Sequence, residues 1–135
     1  MDNTFKITFG TNKKVDAAFR QFELKTDQSK ESGGDETAPE PFELFLAALG
    51  TCAGIYAKSF LDVRKISTRG MYLTLEPFFK ENQKLMDRIR ICLYVTQAFP
   101  EKYMRAIIKS MEGCAVKNQL HPDLNVETMV SYLPE

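Results

Sequence analysis

Between Glu43 and Lys58 runs a stretch with no charged residue, Leu44 to Ala57, 14 residues long. Pro41 stands near the first helical position, where its missing N–H costs nothing, and Glu43 falls in the first turn, where the helix dipole favours an anion. The pattern therefore predicts a helix from Pro41 to about Leu61. The uncharged run is short of the roughly 20 residues that a membrane span needs, so it reads as a buried core helix, and no membrane is expected as a partner. Leu44, Phe45, Leu46, Leu49, Ile55 and Tyr56 cover every face of that helix. One flank of sheet cannot bury all of them, so other elements or a second subunit must wrap it. An oligomer is the expectation.

The remaining chain supplies strands to pack on this helix. Its 135 residues fit one domain, 1–135, with enough length to bury a core. Phe5 to Phe9 alternates with period two and is followed by the turn Gly10–Lys14, so a strand begins the chain, with Phe19 to Thr26 as its expected partner. Thr26 to Glu40 holds no apolar residue except Ala38 and the proline ring, and reads as a mobile loop whose functional form is a flap over a site. Met71–Glu76 and Arg88–Val95 alternate and form an antiparallel pair across the polar Lys80–Lys84 connection. Pro100–Glu101 opens a second helix in which Met104, Ile107, Ile108 and Met111 recur at helical spacing, with Gly113 as a left-handed cap. Val126 to Leu133 is a closing strand. This order is α+β rather than repeated βαβ units.

Composition excludes several functions. Basic and acidic side chains balance at 18 each with no Lys/Arg cluster, so nucleic acid is not an expected partner. The first six residues carry neither a basic leader nor an apolar run, which points to a cytoplasmic protein whose three cysteines are reduced. His121, the one histidine, sits in a Leu-His-Pro loop, so no zinc ligand spacing and no Ser-His-Asp set is available. No phosphate-cradling glycine motif is present. Neither metal nor cofactor is expected.

Two cysteines then carry the chemistry. Cys52 lies within the long helix among Gly50, Thr51, Ala53 and Gly54, small residues that let another segment or a substrate come close. Ala48, Leu49, Ile55 and Tyr56, at i±3 and i±4, would form an apolar collar suited to an organic molecule with a polar head. The competing reading is that Cys52 is a small core hydrophobe, since a mid-helix thiol lacks the N-terminal dipole that lowers its pKa. Cys114, 62 positions later, follows Gly113, and Ala115 to Leu120 can begin another helix. A thiolate would be favoured there, and the alternative is a buried linker residue. Cys92 alternates with Arg88, Arg90 and Tyr94 and is a sheet residue without chemistry.

At this point a family resemblance enters. The segment Pro41-Phe42-Glu43-Leu44-Phe45-Leu46-Ala47-Ala48-Leu49-Gly50-Thr51-Cys52 resembles the long-helix motif of the OsmC/Ohr superfamily, P-x-E-L-x-L-A-A-L-x-x-C. Gly113-Cys114-Ala115-Val116-Lys117-Asn118-Gln119-Leu120 resembles its second motif, C-x-V-x-x-x-L. The resemblance covers nearly the whole chain. It implies an OsmC-like fold, with antiparallel sheets around a long central helix, and an intertwined homodimer with sites at the subunit interface. It further implies oxidative-stress defence by a thiol peroxidase acting on organic hydroperoxides, in which Cys52 is peroxidatic, Cys114 resolves it to a disulfide, and a dithiol reductant reopens the bond.

The sequence also departs from the best-studied peroxidases of that superfamily. Those place glutamate directly after the helix-start proline and pair it with an arginine from an N-terminal loop to activate the thiolate. Here Phe42 follows Pro41 and the acid is Glu43, a spacing like that of the less characterised branch. Arg20 is the sole arginine before the helix and falls in an expected strand. Glu43 and Arg20 are the candidates for the activating pair. Two other functions are consistent with the same residues: a noncatalytic or redox-sensing dimer that binds an apolar ligand, and a thiol-dependent enzyme for another electrophile in which Cys114 is incidental.

Overall fold

The computed structural model describes residues 3–82 and 84–135. Met1 and Asp2 of the N-terminal stretch, and Gln83 of the Lys80–Lys84 connection, lie outside the described residues. The chain is α+β, with two three-stranded sheets and one long helix. It divides into two compact units, Met1–Leu46 and Ala47–Glu135.

The first unit is an antiparallel meander of β1 (Lys6–Phe9), β2 (Val15–Phe19) and β3 (Phe22–Thr26). The segment Phe19–Thr26, expected as one strand beside the first, is instead split by a two-residue turn at Arg20 and Gln21. Arg20 is thus a turn residue, in the left-handed region at φ 54°. Its guanidinium lies over the Phe19 and Phe22 rings at 4.8 and 5.3 Å, a contact that ties the two strand ends together.

The segment from 27 to 40, expected to be mobile, is closed on itself. The Asp27 N–H donates to the Pro39 carbonyl at 3.1 Å, and the Gly34 and Glu36 N–H groups donate to the Ser29 and Gln28 carbonyls. Asp27 is fully buried. Its carboxylate accepts the Gln28 N–H (2.8 Å), the Thr37 N–H (3.1 Å) and the Thr37 hydroxyl (2.6 Å), with the Lys14 ammonium 3.8 Å away. A Cβ on Gly34 would stand 2.1 Å from the Gln28 carbonyl oxygen, so only glycine fits.

Helix α1 (Pro41–Val63) begins where the sequence places it and has 23 residues, long and apolar enough to cross a membrane. Its start is a reach-back cap: the Glu40 carbonyl accepts the Leu44 N–H, and the Glu43 carboxylate accepts the Glu40 N–H at 2.9 Å. That pairing satisfies a backbone donor the helix itself cannot. At the other end Lys65 takes φ 57°. The Ile66 and Lys65 N–H groups close back on the Leu61 and Asp62 carbonyls, a Schellman ending with lysine at the position glycine usually fills.

In the second unit α1 buries Leu49, Ala53, Ala57, Phe60 and Leu61, a stripe at spacings of three and four. The sheet has the order β4 (Tyr72–Phe79), β5 (Met86–Val95), β6 (Asn125–Tyr132). Ile89, Ile91, Leu93 and Val95 fill one face of β5 and are buried. A Cβ on Gly50 would meet Leu75 of β4 at 3.5 Å, ordinary contact distance, which records how closely helix and sheet pack. β4 and β5 pair antiparallel, as expected, but β5 and β6 are parallel, Arg88 opposite Asn125 through Val95 opposite Tyr132. The antiparallel expectation fails here because consecutive strands can run parallel only when a crossover returns the chain. Residues 96–124 form that crossover and contain α2 (Met104–Glu112). Gly113 has φ −75° and is not the left-handed cap its identity suggested. The expected helix after Cys114 is a single 3₁₀ turn, Lys117–Gln119.

The Asp27 carboxyl is held well below the ordinary carboxylate range, first by the Thr37 hydroxyl and then by the Thr37 N–H, with burial opposing and the Gln28 and Asp35 N–H groups assisting. A folded-state pKa below the unfolded one contributes stability that is present above the unfolded value and lost as pH falls. Asp27→Ala should therefore lower the melting temperature by several degrees at neutral pH. In a calorimetric pH series, the gap between wild type and variant should narrow as carboxylates protonate.

Candidate active site

Two of the four candidate site residues are brought together. Cys52 lies midway along α1, one residue around from the buried stripe, so with about 3.6 residues per turn its sulfur sits at the stripe's edge and is half-buried. Cys114 follows α2 and is 1 % exposed. The end of α2 is seated on α1 one turn beyond Cys52. The Ser110 hydroxyl donates to the Tyr56 carbonyl at 3.4 Å, and Gly113 lets its backbone approach the Tyr56 ring, where a Cβ would stand at 3.9 Å.

This seating aims the chain after α2 at the helix thiol. The Cys52 and Cys114 thiols lie close enough to shift each other's pKa, with the backbone of Ala115 and Val116 beside the Cys52 sulfur. The Cys114 sulfur accepts the Lys117 N–H at 3.5 Å, and the Cys114 carbonyl accepts the Asn118 N–H at 3.1 Å. The turn is thus held by its own backbone, with the Lys117 N–H on the Cys114 sulfur.

Both thiols are pushed up by burial, yet they end on opposite sides of the ordinary value. For Cys52 burial is the largest influence, but the Cys114 thiol and the Val116 and Ala115 N–H groups together outweigh it, and the pKa is lowered. For Cys114 burial comes first and the hydrogen bond to Cys52 adds to it, so its pKa is raised despite the Lys117 and Val116 N–H groups. Cys52 is thus shifted toward the thiolate form and Cys114 toward the thiol. The local sequence leaves Cys114 open between a thiolate near fresh N–H groups and a buried linker residue; no second helix forms there and the sulfur is buried.

The expected apolar collar does not form within the chain. Leu49 belongs to the core and Ile55 is 56 % exposed, because residues flanking Cys52 by three and four positions fall on both sides of the stripe's edge. Gly54 has open space beside it rather than an approaching segment.

Glu43 and Arg20 belong to the first unit, where Glu43 caps α1 and Arg20 stacks on Phe19 and Phe22. Cys92 is buried in β5, and the pKa of Tyr94, two residues on along the same strand, is raised chiefly by its influence. The exposed His121 ring accepts the Asp123 N–H at 3.1 Å. Among the described residues no three histidine, cysteine or carboxylate side chains gather at a point. The seating of Ser110 and Gly113 on Tyr56 was not foreseen, and only Gly113, small and directly before a cysteine, signals it in sequence.

The family model for OsmC-like protein matches residues 33–129. The chain superposes on solved structures over nearly its whole length. One is a protein of Psychrobacter arcticus 273-4, provisionally named an osmotic stress induced and detoxification response protein (TM-score 0.79, 18 % identity, covering 98 % of this chain and 97 % of that one). Another is an OsmC like protein of Mycoplasma pneumoniae (TM-score 0.74, 17 % identity, 99 % and 100 % covered). A third is an organic hydroperoxide resistance protein, OsmC, of Legionella pneumophila (TM-score 0.63, 22 % identity, 95 % of each). At such identities these likenesses establish the fold. No curated protein matches the chain.

The opposed shifts of the two thiols make a direct expectation. In reduced protein alkylated across a pH series, with each cysteine followed by mass spectrometry, Cys52 should react at lower pH than a free thiol and Cys114 only at higher pH.

Proposed function

Because the chain belongs to the OsmC-like protein family, we propose that it is a thiol peroxidase that reduces organic hydroperoxides in the cytoplasm and serves oxidative-stress defence. The observation that carries this reading is the seating of the end of α2 on α1 one turn beyond Cys52, which brings Cys114 beside the helix thiol, with Cys52 lowered and Cys114 raised. A peroxidatic sulfur must be anionic to attack, whereas a resolving sulfur needs only to be within reach of the product.

The reaction balances with these two residues and an external dithiol. The Cys52 thiolate attacks the terminal oxygen of ROOH, the O–O bond breaks, and Cys52 becomes a sulfenic acid as RO⁻ leaves and takes a proton. The Cys114 sulfur then attacks the Cys52 sulfur, forming the disulfide and releasing the sulfenic oxygen as hydroxide or water. A dithiol reductant supplies the two electrons that reopen the bond.

A homodimer is part of the proposal. Within one chain α1 leaves Ile55 and Val63 exposed at 56 % and 79 %, and burying such side chains contributes about 1.5–3 kcal/mol each. A second subunit over that flank would cover them and complete an apolar surface near Cys52 for the organic part of the substrate. A second reading, a redox-sensing dimer binding an apolar ligand, is favoured by the occupation of Glu43 in capping and of Arg20 in its hairpin.

Treating reduced protein with cumene hydroperoxide and with hydrogen peroxide separates the two readings. The peroxidase should consume the organic peroxide over many turnovers with a dithiol, and peptide mapping should show a Cys52–Cys114 disulfide with Cys92 free. Cys52→Ser should abolish consumption, while Cys114→Ser should complete one turnover and stop at an oxidised Cys52. Stoichiometric oxidation without turnover would favour the sensor. Sedimentation at micromolar concentration should give a dimer, and a well-folded monomer would contradict the covered flank.

A further inference from the structure

Thr51 and Ser110 both carry hydroxyls inside helices of the second unit, and they use them differently. Thr51 turns back on its own helix, donating to the Ala47 carbonyl at 2.8 Å and the Ala48 carbonyl at 3.2 Å, the usual habit of such a side chain. Ser110 instead reaches out of α2, and its hydroxyl donates to the Tyr56 carbonyl of α1 at 3.4 Å. We propose that Ser110 and Gly113 are positioning residues for disulfide closure, fixing the register of α2 against α1 so that Cys114 stands at the level of Cys52. The proposal rests on the peroxidase reading above and concerns its second step, the resolution of the sulfenic acid.

The register follows from spacing. Cys52 precedes Tyr56 by four residues on α1, and Cys114 follows Ser110 by four, so each pair is separated by about one helical turn, roughly 6 Å of rise. The winding of α2 holds as far as Cys114, because the Gly113 N–H donates to the Ser110 carbonyl at 3.1 Å and the Cys114 N–H to the Met111 carbonyl at 3.2 Å. Ile107, Met111 and Cys114 are all buried and share the inward face of α2 at spacings of four and three. A chain anchored at Tyr56 through Ser110 therefore carries Cys114 one turn along with its sulfur turned inward. The two thiols accordingly lie close enough to influence each other.

Gly113 leaves room for this approach. Its φ of −75° is open to any residue, so the backbone does not require glycine there. What glycine supplies is space, since a Cβ would stand 3.3 Å from the Ser110 carbonyl oxygen and 3.9 Å from the Tyr56 ring. A branched side chain would press on that ring and lift the turn from α1.

Closure is the step that depends on the seat. Once Cys52 is a sulfenic acid, the Cys114 sulfur attacks the Cys52 sulfur. The S–S bond forms, the S–O bond breaks, and the departing hydroxide takes the Cys114 proton to leave as water. The first attack involves only Cys52 and the peroxide. A loosened seat therefore slows the second step and prolongs the sulfenic acid, exposing it to a second peroxide.

Oxidised glutathione tests closure without peroxide. The Cys52 thiolate attacks it, forming a mixed disulfide and releasing one glutathione thiolate, and Cys114 then displaces the second glutathione as the internal disulfide forms. Rapid acid quenching with mass spectrometry follows both steps. In Ser110→Ala and Gly113→Val, shown to be folded by circular dichroism, the mixed disulfide should accumulate. Closure should slow about three- to tenfold, the effect of losing one neutral hydrogen bond, while capture of glutathione changes less than about twofold. Ser110→Thr, which keeps the hydroxyl, should close at close to the wild-type rate. After cumene hydroperoxide the two slow variants should yield more dimedone-trapped Cys52. Equal slowing of both steps, wild-type closure in Ser110→Ala, or a wild type that stops at the mixed disulfide would overturn the proposal, and if Gly113→Val does not fold, Ser110→Ala decides. A wild type that closes the disulfide from glutathione yet turns over no peroxide would instead overturn the peroxidase reading and leave the seat standing.

Discussion

The second unit depends on how α1 buries its stripe. Leu49, Ala53, Ala57 and Leu61 form a line of contact in which two of four side chains are methyl groups, so helix and sheet approach closely. Gly50 extends that closeness towards Leu75. Each alanine contributes little apolar area. What it provides is proximity, and proximity is what lets the chain after α2 reach the helix. Had the stripe been leucine throughout, packing would hold the sheet farther from the helix.

Around the two sulfurs the deciding quantity is the number of donors, not the depth of burial. Burial alone raises both thiols, and Cys114 is the more deeply buried. Cys52 is lowered all the same, by the Cys114 thiol and then by the Val116 and Ala115 backbone, while the same thiol contact raises Cys114 further.

The α+β class, the start of α1 and the two motif cysteines were legible in sequence because each carries a local signal: alternation, a proline before an uncharged run, and a thiol in a recognisable setting. What was not legible was set by partners distant in sequence. Arg20 turns a hairpin without glycine or asparagine, and Lys65 ends α1 in the left-handed region where glycine is usual, so both boundaries were silent. Asp27 looks like one more charge in a polar loop, and only the folded chain shows it buried and tying that loop shut. The parallel register of β6 leaves no mark in its own sequence. The N–H groups after Gly113 were visible in the sequence, but how the end of α2 seats on α1 beside Cys52 is decided by docking.

The parallel pairing of β5 with β6 also bears on how the protein is made. Because the Cys114 turn lies in the crossover between those strands, it is fixed only when residues near the C-terminus join the sheet, a contact of long sequence separation that forms slowly. During synthesis Cys52 leaves the ribosome well before the chain that quiets or completes it. The setting of Cys52 is therefore complete only once the last strand has joined the sheet, and a truncated chain lacks it.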